Sequence, residues 1–583
     1  MIPDSTPKRA WLPAVLVCFV LFGLFFLALS SLPMDLCQAA ARFTGIALLV
    51  LAGLLCLARR WVERWAAEMG ASFSSFFSTL WRSLREAWRG DGRVYRYGFL
   101  VIMVAAVALR LFFLFQPLRS DEAVTLTRYA SRPLWVGLSR YYPNNHLLHT
   151  FQVHIAYLIF GYAPWALRLP AFVAGLLVVP AAYVATRLLS NKYAALLTAA
   201  LVATSSVLIE FSTLARGYTL QCLFFLLILA LSASLMRHRE PAGWLMFSIA
   251  SALGFYTMPT MLFPFGAVVV WLVLSAIMRL TEVERGRFIK DLIIAVLLVG
   301  LFTGILYAPV FAGTGWRSVV ANKRVLPLEY EWPEFARRLG RSLTQAWGQW
   351  NRDVPMVVNV LLVAGLVVSV ACRGRDAARR RLLVLIALLW CGLVLFKQRF
   401  VPSPRSWLPF LPLYLGLAAS GLAHLLGGLQ ARLRFRGSLA YTVLALAMTV
   451  WLGVTALVTC SVYYSSETGS LRDAERITGF LKGYLRSDDM VLARRPSNAL
   501  LEYYFSVYGM SPRRVARGHL KADVGGRLVV VVNTSASQTL AELLERAELT
   551  GLDPGEAAVL REYESATLYE LAGPVNVEDD RDP

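Results

Sequence analysis

Stretches of about 20 apolar residues recur along this chain from Trp11 to Tyr464, and they constrain its fold more than any other feature. A helical run of this length is about 30 Å long, which matches the hydrocarbon core of a bilayer. Charged residues make up 16% of the 583 positions, against about 25% in soluble proteins. The sequence therefore predicts an integral membrane protein that crosses a bilayer many times.

The first apolar run is too long for the core of a signal peptide and lacks a well-placed small-residue cleavage site. We interpret it as a retained helix. Together the runs predict a polytopic all-α membrane protein with about thirteen transmembrane helices. The predicted spans are 11–32, 43–58, 97–116, 165–188, 193–212, 217–236, 243–258, 262–279, 289–311, 354–372, 382–396, 405–427 and 439–463.

The net charge of +21 is explained by a membrane topology in which the basic loops are cytoplasmic. Lys and Arg accumulate in the cytoplasmic loops of membrane proteins. With the N-terminus in the cytoplasm, every predicted inside loop is basic. The other loops then face the periplasm of a Gram-negative cell, and the protein is predicted in the cytoplasmic (inner) membrane. The basic inside positions include Arg59, Arg60, Arg64, Arg82, Arg85, Arg187, Lys192, Arg237, Arg239, Arg279, Arg285, Lys290, Arg373, Arg375, Arg379 and Arg432.

One apolar segment has to be excluded from the spans. Residues 146–160 are apolar enough to cross, but counting them would place all later basic loops outside. The segment also carries His146, His149 and His154. We predict a juxtamembrane helix at the outer interface instead.

The chain divides into three predicted regions. Residues 1–96 form an N-terminal two-helix membrane extension with a basic cytoplasmic loop, 97–464 form the transmembrane core, and 465–583 form a small periplasmic α/β domain. Two outer loops of the core are large, and we call them the first large loop (117–164) and the second large loop (312–353). In the tail the pattern alternates between helix and strand. It predicts helices at 472–485, 498–508 and 539–547, strands at 490–494 and 527–533, and a closing hairpin of 557–563 and 566–571, with a solvated acidic end at 578–582.

Two kinds of site are excluded by residue placement. The arginines are spread among loops between apolar helices, which is not the pattern of a nucleic-acid surface, so no nucleic-acid partner is expected. The seven cysteines lie nearly all inside apolar runs and form no CxxC pair, which is typical of small buried hydrophobes rather than a disulfide framework or a zinc site. They are Cys18, Cys37, Cys56, Cys222, Cys372, Cys391 and Cys460.

Asp121 and Glu122 open the first large loop just past the 97–116 span. Paired carboxylates at a membrane boundary can act as a general base or bind a metal ion. The alternative is an ordinary helix start, since Ser120 or Asp121 can cap a helix and acids stabilise its first turn.

Three further segments concentrate polar residues on the outer side. Each has a simpler alternative: turn chemistry for 141–149, arginine snorkelling for 210–218 and head-group contact for 397–407. The last segment is basic against the positive-inside trend, and an anionic ligand such as a lipid phosphate is the simplest reason. The candidate residues in these segments are Asn144, Asn145, His146, His149, Glu210, Arg216, Tyr218, Arg399 and Arg405.

Taken in order, five motifs resemble those of bacterial GT-C glycosyltransferases, above all the family 39-like protein O-mannosyltransferases and the transferases that add aminoarabinose to lipid A. The motifs are the Asp121-Glu122 pair, the Pro/Asn/His segment 143–149, the Gly-x-x-x-Trp-Ala-Leu-Arg-Leu-Pro segment 161–170, Ala-Arg-Gly-Tyr at 215–218, and the Arg-containing loop leading into a Leu-Pro-rich helix at 405–412. Where the lipid A enzymes have a Lys on the first large loop, this chain has Asn145 and His146.

The resemblance covers 97–464 and implies a GT-C transmembrane catalytic core. It implies transfer of a sugar from a polyprenyl-phosphate donor to a lipid, glycan or protein acceptor at the outer face, among membrane lipids, with inversion at the anomeric carbon. Asp121, with Glu122 beside it, is then catalytic as the base on the acceptor hydroxyl. Arg216, Tyr218, Arg399 and Arg405 are then donor-phosphate residues.

The remaining candidates, Asn144, Asn145, His146, His149 and Glu210, are then substrate-binding. Because a lipid phosphate is already ionised near pH 7, no cofactor or metal is required. Some GT-C relatives use a divalent cation, and Asp121, Glu122 and Glu210 can supply its ligands.

Two other functions remain open from the sequence. A lipid or glycan transporter or flippase would be expected to have inverted repeats and midplane charges, which are not evident here. A scaffold with a periplasmic interaction domain would not need Asp121.

Overall fold

The computed structural model describes residues 88–571, apart from 316, 321–329, 400, 434–436, 518–525, 548 and 550–553, together with scattered positions between 20 and 86. The predicted spans 11–32 and 43–58 fall almost entirely outside the described residues, as does the acidic end at 578–582. The five described cysteines are free thiols. Of these five, only Cys222 is buried; Cys372, Cys391 and Cys460 are half-buried and Cys56 is exposed. The prediction that the cysteines are buried therefore holds for Cys222 and is too broad for the other four.

Every predicted span within the described part of the chain is a helix. Eight of these helices are long and apolar enough to cross a membrane, or nine if the bent pair Lys192–Thr204 and Ser206–Ser212 is one span. Two more are shorter. The helices are Arg93–Leu114, Pro164–Leu189, Lys192–Thr204, Ser206–Ser212, Tyr218–Leu235, Pro241–Thr257, Leu262–Arg279, Glu282–Gly313, Met356–Ala371, Arg375–Gln398, Phe410–Leu433 and Gly437–Thr459.

The bend between Lys192–Thr204 and Ser206–Ser212 is 61°, and a buried arginine from the first described span stabilises it. A helix end leaves its last carbonyls without intrahelical partners. Arg110 donates to the carbonyls of Ala203 and Val202 and to the Ser212 hydroxyl, at 3.0, 3.5 and 3.2 Å. The broken helix thus supplies the acceptors that satisfy this intramembrane charge.

Within the described residues, both large loops contain helices. The predicted helix at 146–160 is present as Leu147–Phe160. Its location at a membrane interface stays a prediction. The second large loop contains an amphipathic helix that the sequence analysis did not predict. The loop elements are Ser120–Val124, the π-helical turn Thr125–Ala130, Leu134–Ser139, Leu147–Phe160, Arg317–Val320 and Trp332–Trp350.

The tail is a small α/β domain, as predicted. Its five strands are β1 (Met490–Leu492), β2 (Val515–Ala516), β3 (Leu528–Val532), β4 (Ala558–Glu562) and β5 (Thr567–Leu571), and its helices are Ala474–Tyr484, Ser497–Val507 and Leu540–Arg546; the short helix Ser461–Tyr464 precedes it. The strands are ordered β2-β1-β3-β5-β4, with β1 parallel to β2 and β3, and β5 antiparallel to β3 and β4. The sequence analysis missed β2 because an edge strand of two residues is too short to show an alternating pattern.

The tail domain and the first large loop share one hydrophobic core. Ala123, Val124 and Leu126 of the loop pack in the same cluster as Leu500 and Leu501 of helix Ser497–Val507. Burial of apolar area stabilises the contact by about 25 cal/mol per Å². Because the loop carries Asp121, this packing fixes the loop's candidate residues against a rigid support.

Candidate active site

Asp121 lies in the first turn of helix Ser120–Val124, where the chain leaves the first described span. The N–H groups of Ser120 and Asp121 donate to the carbonyls of Gly469 and Thr468, at 2.9 and 3.2 Å. The helix start is therefore anchored to the segment that follows the last span. The Asp121 side chain is 18% exposed, which leaves its carboxylate accessible.

The anchor at Gly469 has no room for a side chain. This glycine has φ of +78°, and an added Cβ would lie 2.6 Å from Pro496 and 3.1 Å from Ser120. We expect Gly469→Ala to lower the free energy of unfolding by about 1–3 kcal/mol through strain and overpacking, and to reduce activity by displacing Asp121. Thermal unfolding in detergent measures the first effect. Gly479→Ala, where nothing lies within 4 Å, is the control; equal stability of the two variants would contradict the expectation.

Three residues from distant parts of the chain surround the Asp121 carboxylate. Arg405 donates to Oδ2 at 3.2 Å, and Asn144 donates to Oδ1 at 3.3 Å. Arg216 lies 3.9 Å from Oδ2. The structure thus brings together candidates from the first large loop, the 215–218 turn and the 397–407 loop, and gives this site two guanidinium groups beside one carboxylate.

Arg216 is held in place by side chains and carbonyls of the first large loop. Its guanidinium donates to the Asn144 carbonyl at 2.8 Å, to Asn144 Oδ1 at 2.6 Å and to the Thr125 hydroxyl at 3.2 Å. The side chain is 2% exposed. Snorkelling to water, the alternative interpretation, does not describe this buried and oriented cation.

His146 and Tyr218 complete the surroundings of the two arginines. The Gly217 N–H donates to His146 Nδ1 at 2.9 Å, so this ring nitrogen is unprotonated. Burial, then the charges of Arg216, His149 and Arg405, holds the pKa of His146 well below its usual range. The Tyr218 ring lies 5.9 Å from the Arg216 guanidinium carbon and 5.7 Å from that of Arg405, distances typical of cation–π contacts.

Glu122 is fully buried and has a different environment from its neighbour. Its carboxylate accepts two hydrogen bonds from Arg168, both at 2.8 Å, and one each from the N–H groups of Arg119 and Ala215, at 2.9 and 2.7 Å. All of its accessible lone pairs are used. The contacts join the Asp121 helix to the Pro164–Leu189 span and to the turn that carries Arg216, so the geometry favours a positioning role for Glu122.

Asn145, His149 and Arg399 are three of the predicted site residues for which no contact with Asp121 is described. The Asn145 amide donates to the carbonyls of Gly137 and Arg140 and accepts from Thr150, which folds the loop. His149 is buried, and burial followed by the Arg216 charge lowers its pKa to about 3.

Arg399 is the third of these residues. It ends helix Arg375–Gln398 in the left-handed conformation, with its guanidinium carbon 4.5 Å from the Trp332 ring centroid. The structure therefore brings Arg405, but not Arg399, to the carboxylate.

Glu210 belongs to a second charged cluster next to Asp121. Its carboxylate contacts Arg352 at 2.5 Å and Arg119 at 3.9 Å. Glu467 lies 3.7 Å from Arg405 and accepts a hydrogen bond from Gln349 at 3.0 Å. Burial is the main cause that raises the pKa of Glu467.

Sequence reasoning missed Glu467, Arg352 and Gln349. Glu467 follows the last span closely, and the other two lie at the end of the second large loop and its helix. The only feature of the sequence that could have identified them is that polar residues lie where the predicted spans meet the outer segments.

A cavity of about 390 Å³ opens on this second cluster. Glu210, Arg352, Gln349 and Glu467 line it, together with Ser465 and Ser466. Its volume is in the range of small-molecule sites, about 300–1,000 Å³. Carboxylates, amides and hydroxyls are the groups that hydrogen-bond sugar hydroxyls, so the cavity has the chemistry of a carbohydrate site bordering Asp121.

The three carboxylates considered for a divalent cation do not converge. Glu122 is bound by Arg168 and Glu210 by Arg352, while Asp121 faces Arg405. Within the described ranges no three His, Cys, Asp or Glu side chains cluster closely enough to hold a metal ion. The residues present thus do not fit a cation bound jointly by Asp121, Glu122 and Glu210.

The fold and the site together define a membrane protein with the GT-C glycosyltransferase architecture, and the predicted resemblance to this class is confirmed. Residues 144–306 match the family model described as dolichyl-phosphate-mannose-protein mannosyltransferase. This segment contains Asn144, His146, Glu210, Arg216 and Tyr218. No curated protein sequence matches the chain.

Among solved structures, the chain is similar to ArnT from Cupriavidus metallidurans bound to undecaprenyl phosphate, with a TM-score of 0.53 and 15% identity over 82% of this chain and 99% of that one. The apo state of the same protein matches with a TM-score of 0.52, 15% identity and the same coverage. The Archaeoglobus fulgidus oligosaccharyltransferase in complex with Zn and sulfate matches with a TM-score of 0.48 and 13% identity, over 81% of this chain and 72% of that one. The ArnT likeness establishes the fold.

Proposed function

We propose that this chain is a glycosyltransferase that moves a sugar from a polyprenyl-phosphate donor to an acceptor at the outer face of the cytoplasmic membrane. The observation that carries the proposal is the convergence of Asp121, Arg216, Arg405 and Asn144, next to a cavity whose lining residue Glu467 contacts Arg405. A carboxylate base beside two guanidinium groups suits an acceptor hydroxyl and a phosphate leaving group. The basic inside loops support the periplasmic orientation.

In the proposed reaction Asp121 removes the proton of the acceptor hydroxyl as its oxygen attacks the anomeric carbon from the face opposite the phosphate. The glycosidic C–O bond breaks, both electrons leave with the polyprenyl phosphate, and the configuration inverts. Arg216 and Arg405 stabilise the leaving phosphate by charge-assisted hydrogen bonds, which are bidentate when two N–H groups of one guanidinium donate to two phosphate oxygens. The leaving group needs no proton, so the proposal requires no general acid and no metal.

The contacts of Arg405 predict the order in which these events occur. Arg405 contacts Asp121 now, and the donor phosphate competes for the same guanidinium. Donor binding therefore frees the Asp121 carboxylate to accept the acceptor proton. The sugar of the donor occupies the cavity lined by Glu210, Arg352 and Glu467, within hydrogen-bond reach of their polar atoms.

A transfer assay tests the proposal. Purified protein in nanodiscs receives a panel of polyprenyl-phosphate sugars with membrane lipid extract as the acceptor source, in the presence and absence of EDTA. We expect consumption of one donor and a glycosylated product, with the rate unchanged by EDTA. No consumption of any donor in the presence of extract would count against the transferase, and loss of activity in EDTA would overturn the metal-free reaction.

Arg405→Ala is expected to raise the donor KM by about ten- to a hundredfold, with a smaller change in the acceptor KM. The reason is the loss of a hydrogen bond to a charged group, worth about 1.5–3 kcal/mol. Initial rates at varied donor concentration measure the effect. Arg399→Ala is the matched control from the same basic loop, because its guanidinium lies on Trp332. An unchanged donor KM and kcat in Arg405→Ala, or an equal effect in Arg399→Ala, would contradict the assignment.

A further inference from the structure

A second cavity, of about 400 Å³, lies between the first large loop and the tail domain, apart from the residues around Asp121. It is dominated by guanidinium groups from both sides. The arginines that line it are Arg128, Arg494, Arg495, Arg517 and Arg546. We call this cavity the arginine pocket.

Only two of these arginines are paired with carboxylates. Arg517 binds the buried Glu502 with two hydrogen bonds, and Arg546 binds Glu542 at 2.8 Å. Arg128, Arg494 and Arg495 form no ion pair with the described carboxylates. The arginine pocket therefore carries an excess of about three positive charges, and clefts lined by charges of one sign attract ions of the opposite sign.

Two further observations indicate a missing anion. Arg494 Nη1 is buried and has no hydrogen-bond partner within the described structure, and buried donors of this kind are rarely left unsatisfied. The pKa of Arg128 is lowered by its burial and by the charges of Arg517 and Arg495. The cations are thus close enough to repel one another, and an anion placed among them relieves both costs.

We propose that the arginine pocket binds a phosphate group carried by a ligand at the outer face. Guanidinium forks match carboxylate and phosphate geometry equally. The excess of about three charges favours phosphate, because a phosphate monoester or diphosphate brings more than one negative charge and at least three acceptor oxygens.

The position of the arginine pocket relates it to the proposed reaction. Arg128 follows Asp121 by seven residues along the continuous helical segment Ser120–Ala130, a rise of roughly 10 Å at 1.5 Å per residue. This step rests on the proposed function: a ligand that reaches Asp121 with a hydroxyl can place a phosphate in the arginine pocket one or two sugar units away. The phosphate comes either from a water-facing glycan or from a lipid head group.

Direct binding tests the proposal without any transfer reaction, so its outcome is separate from that of the transferase. The full chain in phosphatidylcholine nanodiscs is titrated calorimetrically with inorganic pyrophosphate. We expect Arg128→Gln/Arg494→Gln to weaken binding at least tenfold and Arg513→Gln, an exposed arginine of the same domain, to leave it unchanged. Arg216 and Arg405 are present in all three proteins, so the difference isolates the arginine pocket.

Thermal unfolding provides a second readout. Because neither substituted arginine pairs with a carboxylate, the double variant should be as stable as wild type or more stable without pyrophosphate. Pyrophosphate should stabilise the wild type more than the double variant. Equal affinity in all three proteins, or equal loss in Arg513→Gln, would overturn the proposal. In nanodiscs with phosphatidylglycerol, weaker pyrophosphate binding in wild type but not in the double variant identifies a lipid head group; unchanged binding identifies a water-facing ligand.

Discussion

Asp121→Asn is expected to reduce the transfer rate by about 10²–10⁴-fold, the usual contribution of a general base, while leaving the protein folded. The amide keeps the shape of the side chain but cannot take the acceptor proton. Its single carbonyl oxygen can still accept from Arg405 or from Asn144, which now bond to different carboxylate oxygens, and because the side chain is 18% exposed, water can replace the contact that is lost. The measurement is kcat at saturating donor, with donor affinity determined in parallel.

Asp376→Asn is the matched control, because Asp376 is an exposed carboxylate at the start of helix Arg375–Gln398. Its transfer rate should equal that of wild type. If Asp121→Asn retained full activity, Asp121 would not be the base. If it lost activity only through a failure to accumulate folded protein, the residue would be structural, and Glu467, the half-buried acid that also contacts Arg405, would be the candidate to examine.

Much of the membrane fold could be predicted because a bilayer imposes a length and a polarity on every span. The charge argument also placed residues 146–160 outside the set of spans, and the helix Leu147–Phe160 is indeed shorter than its spanning neighbours. The break at Ser205 could not be predicted. It depends on Arg110, nearly a hundred residues away, which supplies the donors that a broken helix needs.

The site was only partly predictable for a related reason. Composition and order along the chain identify polar residues at membrane boundaries, and these include Asp121, Asn144, Arg216 and Arg405. Their mutual contacts are set by tertiary packing, which the sequence does not encode locally. Arg399 and Arg405 are six positions apart in one basic loop, yet only Arg405 reaches the carboxylate.

The adjacent acids Asp121 and Glu122 show the limit most clearly. Successive helical residues point about 100° apart, so the Asp121 side chain is partly exposed while that of Glu122 faces the protein interior. The Asp121 side chain is 18% exposed and that of Glu122 is 0% exposed. The sequence predicted both as catalytic because it could not distinguish the two directions. The structure separates them by environment: the Asp121 carboxylate is partly exposed beside Arg405, and that of Glu122 is bound by four donor groups.

Glu122→Gln is therefore expected to lower the free energy of unfolding, whereas Asp121→Asn is expected to lower the transfer rate and leave the protein folded. The substitution leaves Arg168, which is 0% exposed, with an uncompensated buried charge, and breaking such a pair costs about 3–5 kcal/mol. Each carboxylate oxygen accepts two of the four hydrogen bonds from Arg168, Arg119 and Ala215. The amide can accept at only one of its two ends, so two of these hydrogen bonds are replaced by donor–donor contacts. Thermal unfolding and the yield of monodisperse protein in detergent measure the effect, with the exposed Glu564→Gln as control.

A double-mutant cycle tests whether Glu122 and Arg168 stabilise the protein as a pair, or whether any substitution at either position is destabilising. Arg168→Gln alone should be as damaging as Glu122→Gln, because it leaves a carboxylate buried at 0% exposure. The double variant Glu122→Gln/Arg168→Gln should lose less stability than the sum of the two, since no uncompensated charge remains. Additive losses would mean that the two groups do not act as a pair. In that case the anchoring of the Asp121 helix would rest on its contacts with Thr468 and Gly469, and the active-site geometry would depend on the tail segment rather than on the buried ion pair.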